Sequence, residues 1–139
     1  VAQEVGTKGI DRYGFVRLDV HGGTEVQPSA EVGLTDAETG DEVSARGEGN
    51  GMIDAAIAAI AAATGVAGSV LDFKVASVTK GGDALGQVTI QLEVDGAKAS
   101  GRGVATDVVE ASARAYLNAV NRLVRIRARG TARERTVGP

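Results

Sequence analysis

Cysteine is absent from this chain of 139 residues, which excludes a disulfide framework, a thiolate metal site and a thiol nucleophile. The single histidine, His21, cannot make a multi-histidine metal centre. Beside Gly22 and Gly23 it reads as a solvated residue in a strand-end turn. Aromatic residues amount to 3% against 43% hydrophobic residues, so the core has to be aliphatic and its layers closely spaced. No apolar run reaches the roughly 20 residues that a bilayer crossing needs. No charged-then-apolar leader opens the chain, and its first residue, Val1, suggests a piece of something longer. Catalytic groupings are missing too. There is no Ser-His-Asp set, no histidine–carboxylate cluster and no activated lysine, and Ser44 and Ser100 have no base in sequence reach. No cofactor is expected.

The formal charge of −3 hides an asymmetry. Residues 1–121 carry nine bases and seventeen acids, a net of −8, whereas six arginines crowd between Arg122 and Arg135 with one acid, Glu134. An acidic body does not suit a nucleic-acid surface, where phosphates must be neutralised. The basic stretch 125–139, with its Gly and Thr, reads as a disordered tail. Residues 1–12 lack periodicity and read as a linker.

What the chain does have is a repeat. Slid by 56 positions, Ser44-Ala45-Arg46-Gly47 falls on Ser100-Gly101-Arg102-Gly103, and in the same register Gly40 falls on Gly96 and Asp54 on Glu110. Ala55, Ala59 and Ala63 fall on Ala111, Ala115 and Ala119. Two copies are too few for a solenoid, so the pattern predicts one domain with internal pseudo-symmetry, 13–124, in units of about 13–68 and 69–124.

Each copy reads as three strands and a helix. Tyr13–Val20 alternates with Val16, Leu18 and Val20 facing inward, and Ala30–Thr35 points Val32 and Leu34 inward. Glu38-Thr39-Gly40-Asp41 turns into a third strand, Glu42–Arg46. A helix over 52–64 follows, with Asp54 in its first turn and apolar residues nearly all round, which calls for cover on more than one side. In the second copy, Val70–Thr79 and Gln87–Asp95 alternate, Asp95-Gly96 signals a two-residue hairpin, and Ala97–Gly101 returns. The last helix is expected over 107–124, with Asp107 and Glu110 as a capping-box-like pair and Asn118 and Asn121 on a polar face. The fold class is therefore α+β, two βββα units of antiparallel strands with two helices on one face.

The glycine-rich loops before the helices do not fit nucleotides. The preceding strands belong to hairpins, and G-K-[ST] is missing. Exposed amides at a helix start bind carboxylates equally well. With Asp54, Asp83, Asp107 or Glu110 for an ammonium group and Ile53, Val70, Phe73 and Val104 as lining, such a loop suits an aliphatic amino acid. The same glycines and acids also suit tight turns and helix caps, and the residues alone leave both readings open.

The segments GNGMIDAAIAAI, LDFKVASVTKGGDALGQVTIQLEVDG and GRGVATDVVEASARAYLNAVNRL resemble the C-terminal regulatory domain of bacterial 2-isopropylmalate synthases and citramalate synthases, over about 13–124. Met52 stands where that family often has proline, and the arginine-rich end lies outside its pattern. The resemblance implies a homodimerising domain that binds a branched-chain amino acid. Leucine is the effector in the first group and isoleucine in the second. It implies a ligand region at Gly49, Asn50, Gly51, Ile53 and Asp54, with Val70, Phe73, Ser77, Ala84 and Gly86 as its wall and Val104 and Asp107 from the second loop. It also implies a cytoplasmic parent enzyme whose catalytic TIM barrel, an acyltransferase, lies elsewhere in the polypeptide, so that this piece is not itself an enzyme. Neither nucleic acid nor membrane is an expected partner. The contrasting reading is a structural dimerisation module without a ligand.

Overall fold

The computed structural model describes residues 11–137. The linker expected over residues 1–12 therefore lies, up to residue 10, outside the described residues. The elements follow as β1 (Tyr13–Gly23), β2 (Val26–Asp36), β3 (Glu42–Glu48), α1 (Met52–Thr64), β4 (Ser69–Lys80), β5 (Asp83–Val94), β6 (Ala97–Ala105) and α2 (Val108–Val137). They build two antiparallel sheets, β1-β2-β3 and β4-β5-β6, each followed by its helix. This is the α+β arrangement of two βββα units that the repeat predicts. Asp95 (φ 51°) and Gly96 (φ 85°) both take the left-handed region, as the tight hairpin between β5 and β6 requires.

The helices lie very close to the sheets because glycine replaces side chains where they touch. A Cβ on Gly103 would sit 2.6 Å from the Ala115 nitrogen, and one on Gly101 would collide with the Ala115 carbonyl and the Ala119 nitrogen. The same holds at Gly47, where a Cβ would sit 2.7 Å from the Ala58 carbonyl carbon. Facing alanines complete each contact: Ala55, Ala56 and Ala59 on α1, and Ala111, Ala115 and Ala119 on α2, all fully buried. Val32 and Leu34 of β2, and Val88, Ile90 and Leu92 of β5, fill the rest of the core.

The two units are joined by α2. Buried Asn121 receives the Tyr13 N–H on its side-chain oxygen and donates its amide to the Tyr13 carbonyl, both at 2.9 Å. A helix side chain thus takes the place of a neighbouring strand on the edge of β1. Tyr13 and Tyr116 add to the seam by donating their hydroxyls to the carbonyls of Thr64 and Val66, at the end of α1. Arg12 pairs with Asp36 where β1 begins, and its guanidinium holds that carboxyl below the ordinary carboxylate range.

Three expectations are corrected. A β-bulge between Phe15 and Arg17 turns Val16 outward and Phe15 inward, where the guanidinium of Arg114 lies over its ring at 4.3 Å. Asn121 belongs to the buried seam and not to a polar face. β4 runs from Ser69, and its residues up to Thr79 are exposed on both faces in a single chain. The stretch from residue 125, expected to be a disordered tail, continues α2 to Val137. Arg and Ala are good helix formers, and Arg125 and Arg127 find acids on the body, Asp11 at 2.5 Å and Asp95 at 3.2 Å.

The glycine contacts are testable by thermal denaturation. Gly101→Val should destabilise the domain by about 1–3 kcal/mol or more, because α2 must lift off its sheet. Gly51→Ala should leave stability nearly unchanged, since open space surrounds that position. Equal melting temperatures for the two variants would contradict the packing described.

Candidate functional site

The chain leaves β3 and folds back over the start of α1. Gly49 donates its N–H to the Pro28 carbonyl, and Gln27 donates its side-chain amide to the Gly49 carbonyl at 3.0 Å. A Cβ on Gly49 would lie 2.6 Å from that of Asp54, so the loop can press against the first turn only as glycine. Gly51 is the N-cap, extended and without any side-chain hydrogen bond to the helix. Ala55 donates its N–H to the Gly51 carbonyl. The amides of Met52, Ile53 and Asp54 precede that bond and have no side-chain cap, and Asp54 is exposed beside them. The arrangement offers backbone donors, a positive helix end and a nearby carboxylate.

The corresponding loop before α2 differs. Asp107 accepts the Glu110 N–H on its own carboxylate at 3.1 Å, and Glu110 turns away to pair with Arg114 at 2.8 Å. Of the expected capping-box-like pair, Asp107 caps the helix and Glu110 does not reach back. The start of α2 is thus partly satisfied from within the chain, whereas that of α1 is not.

The third component is a strip on β4 and the start of β5. The register pairs Val70 with Leu92, Phe73 with Ile90, Val75 with Val88, Ser77 with Gly86, and Thr79 with Ala84. Paired residues share a face. On this face Leu92, Ile90 and Val88 are fully buried against α2, but Val70 (40% exposed), Phe73 (37%) and Val75 (55%) are not. The helix covers β6 and β5 and stops short of β4. Leu71 is extra at the bulge between Val70 and Asp72, which resets the alternation so that Val70 and Phe73 share one face, where strict alternation would put them on opposite faces.

The expected site residues therefore fall into three groups. Gly49, Asn50, Gly51, Ile53 and Asp54 come together at the start of α1. Val70, Phe73, Ser77, Ala84 and Gly86 form the strip, joined by Val75 and Thr79, which the sequence reading did not single out although they share its period. Val104 pairs with Gln87 and lies on the opposite face of the sheet, just before Asp107. Within one chain, β4 touches neither α1 nor β3, so the first two groups do not meet. Among the described residues no cluster of three or more His, Cys, Asp or Glu is placed to hold a metal ion. No described helix is long and apolar enough to cross a membrane.

Comparison with known proteins places this geometry in context. A family model described as the LeuA allosteric (dimerisation) domain matches residues 1–124. A 2-isopropylmalate synthase of Acidimicrobium ferrooxidans is 48% identical over 96% of this chain, which spans 26% of that protein. Proteins of the same name from Bacillus licheniformis and Synechococcus sp. are 39% and 45% identical, over 91% and 81% of the chain and 25% and 21% of their own length.

The contrast between the two helix starts can be measured. Removing the cap by Asp107→Ala should cost about 0.5–2 kcal/mol in chemical denaturation. Asp54→Ala, at a helix start with no side-chain cap, should change stability by a few tenths. Equal losses would mean that Asp107 is not acting as a cap.

Proposed function

The chain belongs to the LeuA allosteric (dimerisation) domain family, and from that membership we propose that it is the leucine-responsive regulatory part of a 2-isopropylmalate synthase. In this reading it works as a homodimer in the cytoplasm and relays feedback inhibition to a catalytic barrel of the same polypeptide. The observation that carries the proposal is an incomplete internal match. α2 lies against β1 within the chain. The repeat makes α1 the counterpart of α2 and β4 the counterpart of β1, yet α1 and β4 do not touch.

A second copy supplies the missing contact. Its α1, with half-buried Ala58 and Ala61 and exposed Ala62 at the positions that correspond to Arg114, Leu117 and Asn118, lies over β4 as α2 lies against β1. A two-fold axis then repeats the contact, giving a closed dimer with two identical seams. Each seam brings the loop Gly49–Gly51 of one chain to the strip of the other. The amides at the start of α1 hold the ligand carboxylate, and Asp54 receives the ammonium group. Val70, Phe73, Ser77, Ala84 and Gly86 surround the aliphatic side chain. Ala105, paired with Gly86, leads into the second loop, from which Asp107 faces the ligand in this reading, with Val104 on the other face of the sheet beside it. Leucine and isoleucine differ only in methyl placement, so the isoleucine-responsive domain of a citramalate synthase is the neighbouring reading.

Ligand binding to the folded state alone should raise the melting temperature by mass action, corresponding to about 2.7 kcal/mol at a hundredfold excess over Kd. Leucine should do this, and leucinamide, which lacks the carboxylate, far less. Gly51→Val and Phe73→Asp should each abolish the shift. Mixed dimers of these two variants should recover about half the leucine binding by calorimetry, because one of their two seams has both parts intact. Leucine, isoleucine and valine all leaving the wild-type melting curve unmoved would favour the purely structural module. Failure of the mixed dimers to recover binding would place the whole site within one chain.

A further inference from the structure

We propose that the groove between α2 and the free edge of β6 is a binding site for a small polyanion, a molecule carrying two or more phosphate or carboxylate groups. Arg114, Asn118, Arg122 and Arg125 follow one another at helical spacing and form a stripe along α2 about 16 Å long. Two of them donate to carbonyls on the strand edge. Asn118 donates its side-chain amide to the Arg102 carbonyl at 2.6 Å, and Arg122 donates to the Ser100 carbonyl at 3.0 Å.

In an antiparallel strand the N–H of a residue points to the same side as its C=O. The amides of Ser100 and Arg102 therefore point into the groove, and no described residue accepts them. The carbonyls of Ser100 and Arg102 are occupied and their N–H groups are left, so this part of the edge presents donors. The charges agree with this. Arg114 and Arg125 are held by Glu110 and Asp11, while Lys98, Arg102 and Arg122 form no ion pair among the described residues. The acids beside them are Glu93, across the strand pair from Lys98, and the already paired Asp11 and Glu110.

Two clefts open along the stripe. One, of about 450 Å3, is lined by Lys98, Ser100, Arg122 and Arg125, and the other, of about 330 Å3, by Arg102, Arg114 and Asn118 on one side and by the start of β1, with Asp11 beside it, on the other. Each has the size of a small-molecule site. Guanidinium forks and backbone N–H groups take phosphate and carboxylate oxygens alike. The ligand has to be multivalent, because residues 1–121 carry a net −8 that opposes any anion reaching a single exposed cation. The groove runs along the edge of the sheet opposite β4, and Val104 is the one residue on its wall that the proposed amino-acid site also uses.

Calorimetric titration of the chain with tripolyphosphate and with citrate tests this and tells the two ligand chemistries apart. At least one of them should bind saturably, one per chain, with an affinity that falls steeply as salt is raised. Lys98→Gln and Arg102→Gln, which remove no contact holding α2 to the sheet, should each weaken it about tenfold. Arg46→Gln, on the other sheet, should leave it unchanged. All three variants should keep the wild-type response to leucine, whatever that response is. If neither anion binds saturably, or if Arg46→Gln weakens binding as much as the groove variants, the proposal is overturned.

Discussion

The separation between helix and sheet in each unit is fixed by glycines on the strand, and most other features of the domain follow from that distance. With Gly47, Gly101 and Gly103 facing alanine backbones, no room remains between the layers for a large side chain at those points. The bulk of the core is displaced to β2 and β5, where Leu34, Ile90 and Leu92 fill the space beside the contact. Dispersion falls steeply with distance, so a close backbone approach recovers part of what is lost with fewer large side chains. That is how a domain with so few aromatic residues remains well packed. Tyr13 and Tyr116 are not spread through the layers but sit where the two units meet, each with its hydroxyl on a carbonyl at the end of α1. Size is used where the units join, and smallness where helix meets sheet.

Much of this could be read in the sequence because it depends on local chemistry. Met52–Thr64 has helix-forming alanines, and Asp95-Gly96 can hardly be anything but a hairpin. The 56-residue offset showed that one plan is used twice. What escaped the reading depends on partners distant in the chain. Asn121 looked like a surface amide because nothing local says that the edge of β1, 108 residues earlier, lies against it. The two bulges shift the alternation by one residue, which changes faces without changing composition. The continuation of α2 past Val124 was hidden by a composition common to disordered tails, though acids at Asp11 and Asp95 stood ready to pair. For the candidate site, periodicity put Phe73 and Ser77 on one face of β4. It could not show that this face has no cover within the chain.

That missing cover is where fold and proposed function meet. An apolar strip continuous with a buried core, on a strand that touches only β5, is unfavourable to expose. The free amides at the start of α1 are a second unmet demand, of opposite chemistry. A ligand with a carboxylate at one end and a branched aliphatic chain at the other meets both at once, and a dimer that brings the two surfaces together forms its pocket in the same step. In the proposed reading assembly and sensing draw on the same surfaces, which couples ligand binding to how the two chains sit on each other.

The repeat also shows why the two loops should not be equivalent. At the start of α2, Asp107 places a carboxylate on the helix N–H groups from within the chain, whereas Gly51, its counterpart by the 56-residue offset, has no side chain and leaves those groups open at α1. The seam within the chain, between α2 and β1, is closed by fixed groups: Asn121 on Tyr13, Arg114 over Phe15, and Asp107 on the helix start. The groups that correspond to these by the 56-residue offset are small: Gly65, Ala58 and Gly51. Divergence of the two copies has thus filled one seam with side chains and, in the proposed dimer, left the other open. A vacant seam would be a defect in a module meant only to hold two chains together, since each open amide and each uncovered methyl weakens it. It is useful when something soluble fills the space and the domain must register whether it is there.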